Sequence, residues 1–326
     1  MKPLFSPTTQ MRVNCTDPDE FQEKATGWDI DHLQLAPGKY CASMEFIQTQ
    51  NVQISDVTHH IGVHEQGGLS GETCVISLPT PLDNNPLYYC GAILEKDECP
   101  ALLPGQDFDT LSYGGMNYIT IVTDMALLDR EAVLRTGQPF SSMVKQRRVC
   151  ISQQDQQLLI QSITTLMRSH HKPSYNLGIE QQPLEKQIIE IILQSIRLPQ
   201  KRYTHAPNRR TIARRAEQTI RKYPRQQLTI DQICSLVGCS ARSLHLGFKE
   251  YYGTSPGRYA RTLALNAAHQ QLCNIPENET ISNIAMSWGF YHLGRFSHQY
   301  KKFFSELPSA TVERQKGIST DIIHCS

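Results

Sequence analysis

The feature that most limits what this chain can fold into is a stretch it carries twice. Leu228 to Arg261 returns in diverged form from Thr280 to Arg314. In the first copy Ile230, Ile233, Cys234 and Val237 fall at i, i+3, i+4 and i+7, one apolar helical face. Gly238 is placed to end that helix, because glycine enters the left-handed region without steric cost. Ser240 is placed to cap a second, longer helix with Leu244, Phe248 and Tyr252 on its buried side, closed by Gly253. The second copy repeats the plan: Ile281, Ile284, Ala285 and Trp288, then Gly289, then Phe296, Tyr300 and Phe304. Two helices meeting at a glycine turn describe a helix-turn-helix, whose second helix enters the DNA major groove. Two in tandem, joined by a helix over Pro256 to Leu272, form a far more specific signal than one.

The charge distribution agrees. Residues 1–200 carry 14 Lys+Arg against 23 Asp+Glu, a net of −9, and residues 201–326 carry 18 against 8, a net of +10. An acidic body on a basic tail points to a polyanion as partner of the second part. The N-terminal MKPLFSPTTQ lacks the apolar segment of a signal peptide, and no apolar run reaches roughly 18 residues, so a cytoplasmic protein without a membrane partner is expected. The ten cysteines show no CxxC spacing and are expected to be reduced.

The core faces fix which side chains look outward. On the first long helix these are Arg242, His245, Leu246 and Lys249, and on the second Arg295, His298, Gln299 and Lys302. Arginine matches the two acceptors on guanine's major-groove edge, and histidine and glutamine also bond base edges. Many such contacts go to phosphates, so two or three of the five residues Arg242, His245, Leu246, Arg295 and His298 are expected to read bases.

Three stretches carry a resemblance: Gly253-Thr-Ser-Pro-Gly-Arg-Tyr-Ala-Arg261, Ile284-Ala-Met-Ser-Trp-Gly-Phe290, and His292 to Phe304 followed by Glu306-Leu-Pro-Ser309. Together they resemble the AraC/XylS family of bacterial transcription regulators over roughly the last third of the chain. Arg242, His245, Leu246, Arg295 and His298 match the family's base-reading positions. The chain departs from the family's pattern at His292, where Ser or Asp usually caps the helix, at Gly294, and at Ser305, where glycine is usual. Thr16-Asp-Pro-Asp-Glu20, Trp28 and Gln34 to Tyr40 are similar to the N-terminal domain of the ethanolamine-utilisation regulator branch.

Upstream, alternating segments such as Tyr40 to Gln48, Val52 to Thr58, Cys74 to Leu78 and Met116 to Asp124 are punctuated by Gly and Pro, which predicts a β-rich body to about residue 137 after a short helix within Asp17 to Trp28. Helices are predicted over 152–168 and 183–197, the second with the stripe Leu184, Ile188, Ile192 and Ile196. The resemblance implies a cupin-like sensor and a dimer contact through such helices; packing on the chain's own barrel is the equal alternative. The expected fold class is therefore α+β multidomain: a mainly-β, cupin-like sensor domain with dimerisation helices over 1–198, a linker over 199–210, an all-α double helix-turn-helix domain over 211–317 and a tail over 318–326.

His59, His60, His64 and Glu65 are the densest set of metal-ligand residue types, but a strand would split them between faces, and no metal or other cofactor is expected. No nucleophile elbow, HExxH or phosphate loop is present, so the chain is not expected to be an enzyme. The leading reading is a transcription regulator, an activator that recruits RNA polymerase, which binds promoter double-stranded DNA as a homodimer and responds to a small-molecule effector. A DNA-binding architectural protein with a purely dimerising first domain is the alternative, and a cupin enzyme with a DNA-binding tail is a third. A pocket lined by aromatics such as Trp28, Tyr40, Tyr88 or Tyr113 would favour the sensor.

Overall fold

The computed structural model describes residues 8–25, 28–49, 51–69, 71–169, 181–197, 207–226, 228–276 and 278–314. Most of the expected linker and all of the expected tail lie outside these residues. The chain divides into two compact units: 1–31, 41–60 and 65–203 form the first, and 32–40, 61–64 and 204–326 the second.

The first unit is built on two sheets. In chain order the elements are β1 (Thr8–Cys15), α1 (Pro18–Lys24), β2 (Trp28–Gln34), β3 (Ala42–Gln48), β4 (Val52–His59), β5 (Val63–Leu69), β6 (Thr73–Pro81), β7 (Leu87–Tyr89), β8 (Ala92–Ile93), β9 (Glu98–Leu102), β10 (Asp107–Ser112), β11 (Met116–Asp124), α2 (Met125–Thr136), α3 (Phe140–Met143), β12 (Arg148–Ile151), α4 (Gln153–Ser169), α5 (Gln181–Ser195) and β13 (Ile196–Arg197). The larger sheet has the order β1-β3-β4-β11-β6-β9-β12-β13, and the smaller β2-β5-β10-β7-β8.

Alternation along the strands of the larger sheet creates two different faces. One is aliphatic: Ile121 pairs with Ile54 on one side and Ile76 on the other. This face packs against Leu128 and Ala132 of α2, Leu159 and Ile163 of α4, and Ile188 and Ile192 of α5. The other face carries Val75, Leu102 and Val122, packed against Trp28, Leu69 and Phe108 from the smaller sheet. The Ile188–Ile192 stripe is 1–2% exposed, so it covers its own sheet, the second of the two placements weighed from the sequence.

The second unit contains α6 (Pro207–Lys222), α7 (Ile230–Val237), α8 (Ala241–Tyr252), α9 (Pro256–Cys273), α10 (Ile281–Ser287) and α11 (Leu293–Phe304), followed by a helical segment at 308–314. α6 starts at Pro207, so the last four residues of the expected linker are helix instead. Proline at the first position suits a helix start, where its missing N–H is not needed.

Local chemistry sets the ends of the first motif. Thr229 and Gln232 form a reciprocal capping box at α7. Gly238 (φ 73°) then turns the chain, its N–H and that of Cys239 both bonding the Cys234 carbonyl, at 2.9 and 3.1 Å. Ser240 accepts from the Ser243 amide to start α8, and Gly253 (φ 65°) ends it. In the second motif Thr280 caps α10 through the Asn283 amide. α11 has no side-chain cap at His292, and it ends on Ser305 in the left-handed region (φ 61°). Its buried side, Phe296, Tyr300, Phe303 and Phe304, packs with Leu265, Ala268 and Leu272 of α9 and Ile284 and Ala285 of α10.

No helix among the described residues is long and apolar enough to cross a membrane. The nine cysteines among those residues are free thiols.

Candidate nucleic-acid interface

α8 presents a polar face because its other side is consumed by packing. Leu244 and Phe248 are fully buried, and Arg242, His245, Leu246 and Lys249 are all exposed. Together they offer a fork of donors, an imidazole, an apolar surface of the kind that meets a thymine methyl, and an ammonium. Lys249 Nζ lies 3.5 Å from the Gly253 carbonyl at the helix end, where a cation is also favoured by the helix dipole.

α11 repeats the arrangement with one difference. Arg295, His298 and Lys302 are exposed, and Phe296 and Tyr300 are buried. Gln299 is half-buried and already engaged: its Oε1 accepts from Arg261 of α9, through Nε at 3.1 Å and through Nη2. The Arg261 guanidinium lies over the Phe290 ring, 4.4 Å from its centroid. Burial and the nearby Arg295 charge both lower the pKa of Arg261. Arg261 therefore belongs with the outward residues of α11, although it sits 38 positions before Gln299. Its place in the Tyr-Ala-Arg run of α9 was the available signal, but partners this far apart leave no local pattern.

The face of the larger sheet that carries Val75 and Leu102, together with the smaller sheet, lines a cavity inside the first unit. Its volume is about 90 Å³, and Trp28, Phe46, Val75, Leu102, Phe108 and Met116 supply much of its apolar wall. On the same measure one water needs roughly 10–15 Å³, so the space suits a small molecule. Polar groups line it too. Glu65 is buried, with its Oε1 3.2 Å from His59 Nε2 and both oxygens 3.2 Å from the Tyr118 hydroxyl, which donates to them. Among the described residues the buried Tyr89 hydroxyl has no hydrogen-bond partner. Burial above all raises its pKa well above the ordinary value, with the neighbouring Cys90 adding to the shift, so it stays a donor.

Of the aromatics expected to line a pocket, Trp28 does so, and Tyr40, Tyr88 and Tyr113 are not among the lining residues. Tyr89 takes the place of Tyr88, because a one-residue step along β7 moves a side chain to the opposite face. The histidine cluster also divides differently from the expected single strand. β4 ends at His59, the chain bends at His60, which is exposed, and β5 begins at Val63. His59 pairs with Glu65 in the first unit, whereas His64 belongs to the second, its Nδ1 2.9 Å from the Tyr259 hydroxyl.

Comparison with known proteins places the second unit. A family described as "Helix-turn-helix domain" matches residues 233–314. The chain is 37% identical over 99 residues to the "Probable thc operon regulatory protein" of Rhodococcus erythropolis, covering 30% of each chain. It is 35% identical over 103 residues to the "XylDLEGF operon transcriptional activator 2" of Pseudomonas putida, covering 31% of this chain and 66% of that one. The chain thus spans less than two thirds of the length of either relative. A solved structure titled as a probable AraC family transcriptional regulator from Rhodopseudomonas palustris is 32% identical, covering 32% of this chain and 96% of that one, with a TM-score of 0.31. The two helix-turn-helix motifs and these sequence identities fall on the same third of the chain, so its C-terminal part carries a helix-turn-helix domain similar to those of these transcription regulators.

Proposed function

We propose that this protein is a sequence-specific, DNA-binding transcription regulator of the cytoplasm whose first unit responds to a small-molecule effector. The observation that carries the reading is the pair of exposed faces on α8 and α11, each the second helix of a helix-turn-helix and each backed by a buried aromatic or aliphatic stripe. Two or three of Arg242, His245, Leu246, Arg295 and His298 would meet base edges, with Lys249 and Lys302 on phosphates. The net +10 of residues 201–326 supplies the sequence-independent attraction. The test is retention of duplex DNA by the full chain at increasing salt. Affinity should fall steeply with salt on every duplex and remain highest on sequences enriched from a random pool. Retention without enrichment would leave only a non-specific binder.

The cavity supports the sensor over a purely dimerising first domain. Its wall fits an effector with an apolar, ring-sized body, and the Tyr89 donor fits an acceptor oxygen on that ligand. Tyr89→Phe removes a donor that has no partner among the described residues, so the free protein should melt no lower, while the rise in melting temperature given by a binding metabolite should shrink. An undiminished rise would remove Tyr89 from the site. Homodimerisation and recruitment of RNA polymerase as an activator complete the proposal. Because the Ile188–Ile192 stripe is buried, the dimer contact would use another surface, and sedimentation of the full chain measures whether it forms.

A further inference from the structure

The engagement of Gln299 by Arg261 limits what Gln299 can do on DNA. A side-chain amide has one acceptor oxygen with two lone pairs and one donor nitrogen with two hydrogens. Arg261 places two N–H groups on that oxygen, from a planar fork that the Phe290 ring supports on its face. The amide nitrogen is then what Gln299 has left for a ligand. A free glutamine recognises adenine by accepting from N6 while donating to N7. With Oε1 occupied, the N6 amine of adenine meets no acceptor. Guanine, which offers acceptors at both O6 and N7, suits a donor-only group.

We propose that Arg261 is a specificity-determining positioning residue: by holding Gln299 Oε1 it presents Gln299 to the major groove as a donor only, and so sets guanine over adenine at one position under α11. The inference rests on the DNA-binding reading and adds to it a residue of α9, outside both helix-turn-helix motifs. Arg295 stands on the same surface, and its charge beside that of Arg261 is an unfavourable like-charge pair that a phosphate or a guanine edge would relieve. Protein and DNA chemistry therefore favour the same arrangement.

The test is selection from a randomised duplex pool by the full chain and by R261M, R261K, Q299A and Q299E, with melting temperatures recorded for each. The wild type should prefer guanine to adenine about tenfold at one position of the second half of the site, the size of discrimination a good side-chain-to-base match gives. R261M frees Oε1, so adenine should become accepted there while positions read by α8 stay unchanged. Q299A should lose the preference at the same position. Q299E keeps a partner for Arg261 and removes the donor, so it should melt like the wild type and still lose the guanine preference. R261K, which keeps the charge and loses the fork, should behave as R261M does, and it serves if R261M melts too low to bind. The same base chosen by the wild type and both Arg261 variants overturns the proposal, as does an unchanged preference in Q299E. A wild type that enriches no sequence overturns the DNA-binding reading itself, a result distinct from an enriched site that ignores Arg261.

Discussion

The two helix-turn-helix motifs follow one plan but are secured by different means. The first is fixed by backbone chemistry at its ends: a capping box at Thr229 and Gln232, glycine turns at Gly238 and Gly253, and a serine cap at Ser240. The second lacks a side-chain cap at His292 and holds Ser305 at φ 61°, and it relies on the ring cluster of Phe290, Phe296, Tyr300 and Phe304. Their outward faces differ in the same sense. Arg242 and His245 of α8 stand clear, while Gln299 of α11 is tied to Arg261. A recognition helix can thus be oriented by its termini or by its buried stripe, and the second route leaves side chains of neighbouring helices involved at the surface.

The largest expected effect breaks the second support directly. Phe296→Ala should destabilise the C-terminal unit by about 3–5 kcal/mol, read by denaturant unfolding, because a fully buried ring between Phe290 and Tyr300 is lost. A cost below about 1 kcal/mol would mean that the rings do not hold α11.

Next comes a contrast in binding. Arg242→Ala should cost about 1–3 kcal/mol on an enriched duplex and much less on an unrelated one, whereas Lys302→Ala should weaken both alike and reduce the salt slope by about one. Equal losses for Arg242→Ala on the two duplexes would make it a phosphate contact.

The left-handed positions sharpen the comparison of helix ends. Gly253→Ala should lower stability by about 1–2 kcal/mol, and Ser305→Gly should raise it by up to about 1 kcal/mol, since the cost of a side chain there is paid in one motif and avoided in the other. Equal and opposite melting shifts would show the two ends to be equivalent apart from that residue. The smallest expected change is at the missing cap. His292→Asp should stabilise α11 by about 0.5–1 kcal/mol by accepting from a first-turn amide and complementing the helix dipole.

What the sequence disclosed follows the range of the interactions involved. Helix ends and apolar stripes are written within a few residues, so Gly238, Ser240, Gly253 and the faces of α8 and α11 were legible. Met116 to Asp124 was legible as a strand because its alternation is long, and β11 spans those residues. β5 was not, since Glu65, Gln66, Gly67 and Gly68 lack strand propensity and are held extended by pairing. A Cβ at Gly67 would sit 1.9 Å from the Asp29 carbonyl oxygen of β2, an approach that glycine permits. The three-residue β7 is too short to show a period, which hid the inward direction of Tyr89. The Arg261–Gln299 contact joins two helices and appears only when they are packed together.

If α8 and α11 are both recognition helices, as proposed, they should enter two neighbouring major grooves, which guanine N7 methylation protection on an enriched duplex with the full chain tests most directly. Two protected clusters should appear on one face, about 10 base pairs or roughly 34 Å apart. Arg242→Ala should erase the first cluster alone, and Arg295→Ala the second. A single cluster, or the loss of both clusters from Arg242→Ala alone, would contradict the account.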